Sequence, residues 1–283
     1  MNLLSKVKRR IISSLSTPLI YDERLRQAYS SVSVTGGYLK GKNAVVTGAT
    51  GGIGYAIARR LLMEGCSVII TGRNEEKLIH TTEKLNQYGK SVSYILLDQK
   101  KPEEFTQIVK KVFADSVIDL WVNCAGIFKK TDRSRKFRGL PKDTYFDVVD
   151  TNLKSTMLLN TLVADKMLEN VVGGKIVNIS SICGLTNHFG YTPYGISKTG
   201  VIEFTKHVSK KYDGKVIFIS VAPGSVATQM GTRHFGGDIS GTSALTYHVA
   251  IPEETAAVVC FLAGEAGNYL NGQTVVASAA ERV

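Results

Sequence analysis

Asn43-Ala44-Val45-Val46-Thr47-Gly48-Ala49-Thr50-Gly51-Gly52-Ile53-Gly54 is a short apolar run that breaks into a glycine-rich turn. Tyr55–Glu64 follows as a helix, ended by Gly65. Strand, glycine turn and helix in that order open a βαβ unit that binds a dinucleotide. The glycines permit a tight turn, close approach of the backbone to a pyrophosphate, and close packing of helix on sheet. The helix start offers unpaired N–H groups and a positive dipole end to the phosphates.

Outward from this turn the pattern repeats. Strands are expected at Ser67–Thr71, Ser91–Leu97, Val117–Asn123, Lys175–Ser180, Lys215–Ala222 and Gln273–Ala277. Helices are expected at Glu75–Gln87, Pro102–Ala114, about 142–170, Pro193–Tyr212 and Pro252–Ala263, with a less regular stretch at 224–250. The strands are near-continuous Val/Ile/Leu runs, as a sheet covered on both faces requires. The expected fold class is therefore α/β: a Rossmann-type, doubly wound, seven-stranded parallel sheet with helices on both faces. Residues 41–283 read as a single catalytic domain behind an N-terminal basic extension, 1–40.

The end of the second strand bears on the choice of cofactor. An acidic residue about 20 positions past the turn would bind the ribose hydroxyls of NAD. The chain instead reads Thr71-Gly72-Arg73-Asn74. A guanidinium suits a ribose 2′-phosphate through a bidentate, charge-assisted contact. NADP(H) is expected ahead of NAD(H), which stays open. Glu75 and Glu76 begin the next helix, where acids suit the dipole.

The chemistry is sought in Ser181–Lys198. Thr192 and Pro193 are a helix start, a hydroxyl N-cap followed by a proline in the first turn. Tyr194 and Lys198 then share one helical face. A phenol beside an ammonium is expected to have a lowered pKa, and so to exchange a proton with an alkoxide. Ser181, at the preceding strand end, could bring a hydroxyl to the same reacting oxygen.

These residues resemble the short-chain dehydrogenase/reductases over about 41–277, most closely the compact, NADP-preferring 3-oxoacyl-carrier-protein and carbonyl reductases. Thr47-Gly-x-x-x-Gly52-x-Gly54 resembles the family's cofactor turn. Asn123-Cys124-Ala125-Gly126 is similar to its Asn-Asn-Ala-Gly motif, with a cysteine in second place. Tyr194-Gly-Ile-Ser-Lys198 matches Tyr-x-x-x-Lys, and Ser181 stands 13 residues before the tyrosine. Tyr38-Leu-Lys-Gly-Lys42 has the same spacing but precedes the first strand.

The resemblance implies a catalytic set of Tyr194, Lys198, Ser181 and Asn152. Tyr194 would donate the proton. Lys198 would lower its pKa and hold the nicotinamide ribose. Ser181 would polarise the carbonyl, with Ser180 the competing hydroxyl, and Asn152 would hold a water behind Lys198. The implied cofactor contacts are Gly48, Thr50, Gly52, Ile53, Gly54, Arg73, Asp98, Asn123, Ala125, Gly126, Tyr194, Lys198, Pro223, Gly224 and Thr228. No metal is implied. The intact Ser181, Tyr194 and Lys198 favour an oxidoreductase over a catalytically silent NADP-binding regulatory or scaffold protein of the same fold.

Composition bounds the partners. The formal charge is +11, and it is concentrated. Six Lys/Arg fall within the first 26 residues and six between Lys129 and Arg138. The second cluster follows a strand end, so it is expected near the pocket rim, drawing an acidic or carrier-linked carbonyl/alcohol substrate. Phe189, Tyr191, Met230 and Phe235 would give that pocket apolar character, and His188 reads as a substrate-loop residue. There is no nucleic-acid motif. The four cysteines are widely spaced, as in a reducing compartment. There is no run of 18 apolar residues, and Ile11–Ile20 is broken by serines and Pro18. A cytoplasmic enzyme is expected; an organellar matrix, or a membrane surface met through residues 1–20, are the alternatives. The resemblance implies a homodimer or homotetramer.

Overall fold

A computed structural model of the chain describes residues 37–89, 91–129, 142–170, 173–186, 192–230 and 249–278. Most of the N-terminal extension lies outside them, as do Lys130–Arg138 of the second basic cluster, His188, Phe189, Tyr191 and Phe235.

Seven parallel strands form one sheet: β1 (Asn43–Thr47), β2 (Ser67–Gly72), β3 (Val92–Leu96), β4 (Leu120–Asn123), β5 (Gly174–Ile179), β6 (Val216–Pro223) and β7 (Thr274–Ala277). Their order is β3-β2-β1-β4-β5-β6-β7. The central strands are apolar because both faces are covered. On one face α1 (Gly52–Met63), α2 (Glu75–Leu85) and a C-terminal helix, Pro252–Ala263, bury Ile57, Leu61, Leu78, Val259 and Leu262. On the other, α3 (Phe105–Val112) and the helices between β4 and β6 bury Phe105, Val109, Leu159, Val163 and Met167 around Trp121 and Phe218. The order reverses between β1 and β4, and that switch point opens a crevice beyond the strand ends.

The helix expected at about 142–170 is interrupted. α4 (Lys142–Val149) widens into a π turn, Asp150–Lys154, before α5 (Ser155–Leu168). The hydroxyls of Ser155 and Thr156 bond back to the carbonyls of Thr151 and Asn152. Such back-bonding bends a helix without a proline. The turn buries Asn152, and Leu153 packs so closely on α6 (Thr192–Val208) that a Cβ at Gly200 would lie 2.5 Å from its Cδ2. The last helix, Pro252–Ala263, becomes α7; Glu254 accepts the Ile251 N–H at its start.

The packed body begins ahead of the boundary expected at residue 41. Leu39 is buried, and Tyr38 Oη donates to the Cys260 carbonyl at 2.5 Å. Lys42 pairs with Asp119 at 2.8 Å. The second Tyr-x-x-x-Lys run is thus a strap on the body, with neither residue on the crevice wall.

Candidate active site

The crevice is a cavity of about 510 Å³, within the range of small-molecule sites. Its floor is the glycine turn. Gly48 has φ +68°, and a Cβ there would lie 2.7 Å from Ala125 Cα. A Cβ at Gly54 would lie 2.5 Å from the Gly48 carbonyl oxygen. Any side chain at either position would push the β1 turn off the β4 end or off α1. Thr47 ties the same two ends together, its Oγ1 accepting the N–H groups of Cys124 and Ala125 at 3.0 and 3.1 Å.

α1 starts at Gly52, inside the glycine run, with no acid in its first turn and no side-chain cap. A Cβ on Gly51 would meet no protein atom within 4 Å. Gly48 and Ala49 give their N–H groups to the Thr71 carbonyl, so the uncapped start of α1 is the part of the turn that suits a pyrophosphate. At the β2 end Arg73 and Lys77 both line the cavity, and among the described residues neither has an ion-pair partner. Asn74 caps α2 between them, its Oδ1 accepting the Lys77 N–H at 2.8 Å. These residues fit a dinucleotide that carries a ribose phosphate.

The other end carries the reacting groups. Ser181, Tyr194 and Lys198 line it, and the Ser181 Oγ accepts the Cys183 N–H at 3.1 Å. Ser180 points elsewhere: its Oγ donates to the Lys198 carbonyl at 3.1 Å. Lys198 is buried, and its Nζ donates to the Ile179 carbonyl at 2.8 Å.

The electrostatics differ from the expectation of a lowered phenol pKa. Burial raises Tyr194 above its ordinary value, Cys183 adds to this, and the Ser181 hydrogen bond opposes it. Burial also draws Lys198 down to about 8, against the pull of Cys124 and Cys183. The ammonium lies 5.7 Å from the Tyr194 ring centroid and is spent on a backbone carbonyl. Desolvation of both groups therefore outweighs their mutual effect.

Gly48, Thr50, Gly52, Ile53, Gly54, Arg73, Asp98, Ala125, Gly126, Pro223, Gly224 and Thr228 all line the cavity, as does Met230. Asn123 and Asn152 do not. Asn123 lies beneath, in a buried amide ladder: Trp121 Nε1 donates to its Oδ1, and its Nδ2 donates to Asn178 Oδ1, both at 2.9 Å. The Asn152 amide is engaged by protein on both its oxygen and its nitrogen. It exchanges hydrogen bonds of 2.8 and 2.9 Å with the Ile127 backbone and donates to Ser197 Oγ. Its Oδ1 accepts only the Ile127 N–H among these bonds and keeps a second lone pair.

Several wall residues went unread in the sequence. Lys77, four positions after Arg73, was visible as helical spacing. Lys100 and Cys183 carried no signal of their own, and Cys124 showed only as a departure within a motif. Burial pushes the Cys124 thiol up to about 12, so it is no nucleophile at neutral pH. Phe128 meets Tyr194 edge to face, with centroids 5.3 Å apart and planes at 80°.

Residues 42–236 match the family model for short chain dehydrogenase. The chain is 37% identical over 243 residues to a 3-oxoacyl-(acyl-carrier-protein) reductase, FabG, of Rickettsia conorii, covering 84% of this chain and 95% of that one. It is 35% identical over 240 residues to an acetoacetyl-CoA reductase of Acinetobacter, covering 83% and 95%. Among solved structures, a variant of actinorhodin polyketide ketoreductase with NADPH superposes with a TM-score of 0.75 at 28% identity, covering 87% of this chain and 100% of that one. The chain belongs to the short-chain dehydrogenase/reductase family, and it is an NAD(P)-dependent oxidoreductase acting on CH–OH groups.

Proposed function

We propose that this chain is an NADP(H)-dependent reductase that interconverts a ketone and its secondary alcohol, with Tyr194 as the proton donor. The observation that carries this reading is the meeting of Ser181, Tyr194 and Lys198 on the cavity that also holds the glycine turn. When bound, the nicotinamide supplies or accepts the hydride at the carbonyl carbon. Gly48–Gly54 would hold its pyrophosphate, Arg73 its 2′-phosphate and Asp98 its adenine. Ala125, Gly126 and Lys198 would hold the nicotinamide ribose, and Pro223, Gly224 and Thr228 the carboxamide.

The chain's own groups handle the proton. Tyr194, with its raised pKa, is protonated at neutral pH and enters the reduction as an acid. Its Oη gives the proton to the carbonyl oxygen as negative charge develops there. Ser181, on the same cavity wall as the phenol, orients and polarises that oxygen. Lys198, charged below about pH 8, stabilises the phenolate that forms. Asn152 acts as a positioning residue, holding the Ile127 strip against α6.

The substrate class is a 3-oxoacyl thioester carried on an acidic carrier, coenzyme A or an acyl-carrier protein. The relatives named above act on those two carriers, and the basic residues from Lys129 onward follow the strip that lines the cavity. Exposed Phe261 on α7, Tyr269 in the turn Glu265–Leu270 and Val276 on the edge strand β7 support a homodimer or homotetramer. Among the described residues no helix is long and apolar enough to cross a membrane.

A panel of carbonyl compounds that includes acetoacetyl-CoA, read by nicotinamide absorbance with NADPH and with NADH, tests the reading. Turnover on the thioester with NADPH, lost in Tyr194→Phe, is expected. No turnover on any carbonyl would overturn it.

A further inference from the structure

Asp147 stands on α4 between two lysines. Its Oδ2 lies 2.5 Å from Lys129 Nζ, and its Oδ1 pairs with Lys100 Nζ. Each lysine belongs to a different wall of the cavity. Lys100 ends the loop after β3, which lines the cavity from Leu97 through Asp98 and Gln99. Lys129 ends the strip after β4, which lines it from Cys124 to Phe128. β3 and β4 are not neighbours, because β2 and β1 lie between them. No ladder hydrogen bond therefore joins the two walls, and Asp147 does.

Both ends of this link reach proposed binding groups. Asp98 Oδ1 accepts the Lys100 N–H at 3.0 Å. Phe128, next to Lys129, packs against the Tyr194 ring. We infer that Asp147 is a positioning residue, whose carboxylate clasps the adenosine-side loop to the strip beside Tyr194 and so sets the affinity for the dinucleotide without touching it. The inference rests on the NADP(H) reading above. The two lysines, Lys100 first, hold the Asp147 carboxyl below the usual carboxylate range, so the clasp is charged at neutral pH. The lysine side chains are 43% and 45% exposed, so salt weakens it.

The test uses the full chain as wild type, Asp147→Asn and Asp147→Glu. NADPH binding is followed by its fluorescence, and amide hydrogen exchange is measured on the cofactor-free protein. At low salt Asp147→Asn should bind NADPH about five-fold more weakly, the loss expected of two partly exposed pairs. The gap should close as salt rises, kcat at saturating NADPH should stay within about two-fold, and Asp147→Glu should recover most of the affinity. Exchange should rise in both 97–101 and 124–129. Equal NADPH affinity in wild type and Asp147→Asn would overturn the clasp alone. So would faster exchange confined to α4, or a glutamate variant no better than the asparagine one. If the wild type binds no NADPH, the cofactor reading fails and the clasp fails with it.

Discussion

The Lys198 ammonium faces the Tyr194 ring from 5.7 Å while it donates to the Ile179 carbonyl at 2.8 Å. It supports the tyrosine only while charged, and burial draws its pKa down to about 8. Tyr194 is pushed the other way, so it keeps its proton through that range. In the reduction direction kcat/KM should therefore stay level below pH 8 and fall above it, as Lys198 and not Tyr194 loses its proton. The free-enzyme profile reports this directly. A profile level to about pH 10, where an ordinary phenol titrates, would show that Lys198 stays charged. Tyr194→Phe should lose turnover by at least about 100-fold while still binding NADPH.

Phe128 should matter to the same tyrosine by another route. The edge-to-face contact packs one side of the Tyr194 ring and so holds its direction. Such a pair contributes roughly 0.5–1.5 kcal/mol beyond its buried area. Phe128→Ala should lower kcat by about two- to ten-fold, and Phe128→Tyr should restore it by keeping the ring. Steady-state kinetics of both variants on the same thioester check this. Loss in KM alone, with kcat intact, would move Phe128 from the tyrosine to the substrate.

Among the described residues Arg73 and Lys77 are wall cations without ion-pair partners, whereas Lys100 is held by Asp147 and Lys198 by Ile179. A 2′-phosphate should therefore meet Arg73 first and Lys77 beside it. A hydrogen bond to a charged group is worth about 1.5–3 kcal/mol. Arg73→Ala should weaken NADPH by roughly 10- to 100-fold and leave NADH nearly unchanged. Lys77→Ala should do the same to a smaller degree. Calorimetry with 2′,5′-ADP and 5′-ADP isolates the phosphate from the nicotinamide end. Equal affinity of the two nucleotides for the wild type would refute the assignment.

The parallel sheet was legible because its strands are buried on both sides, which leaves runs such as Ala44–Val46 without a polar residue. The glycine turn was legible because two of its residues are constrained by contacts only glycine satisfies. The partition of amides and hydroxyls was not. Nothing local separates Ser180 from Ser181; only the position of the Lys198 carbonyl does. Asn123 sits in a family motif, yet Asn178 and Trp121, distant or inward-facing, decide that it serves the core. The π turn depends on hydroxyls competing for carbonyls within a continuous helical pattern. The Tyr194 pKa was misjudged because helical spacing reports proximity to a cation but not the desolvation of both partners.

Lys175, at the start of β5, is a buried ammonium with no carboxylate partner among the described residues. Its Nζ donates to the carbonyls of Leu262, Ala263 and Gly264 at the end of α7, at 2.7, 3.3 and 2.6 Å. A cation at a helix C-terminus is favourable, but burial still draws Lys175 from 10.5 down to about 8. Between those values the unfolded chain holds a proton that the fold does not. The unfolding free energy should therefore rise with pH across that window, because the fold is relieved of a buried charge. Lys198 has the same sign and the buried tyrosines the opposite one, but both are shared with a Lys175→Met variant and cancel in the difference. Urea unfolding at several pH values should show wild type gaining roughly 1–3 kcal/mol on Lys175→Met from about pH 7.5 to 10. A difference independent of pH would mean that the three carbonyls hold Lys175 at its ordinary value and fully offset its burial.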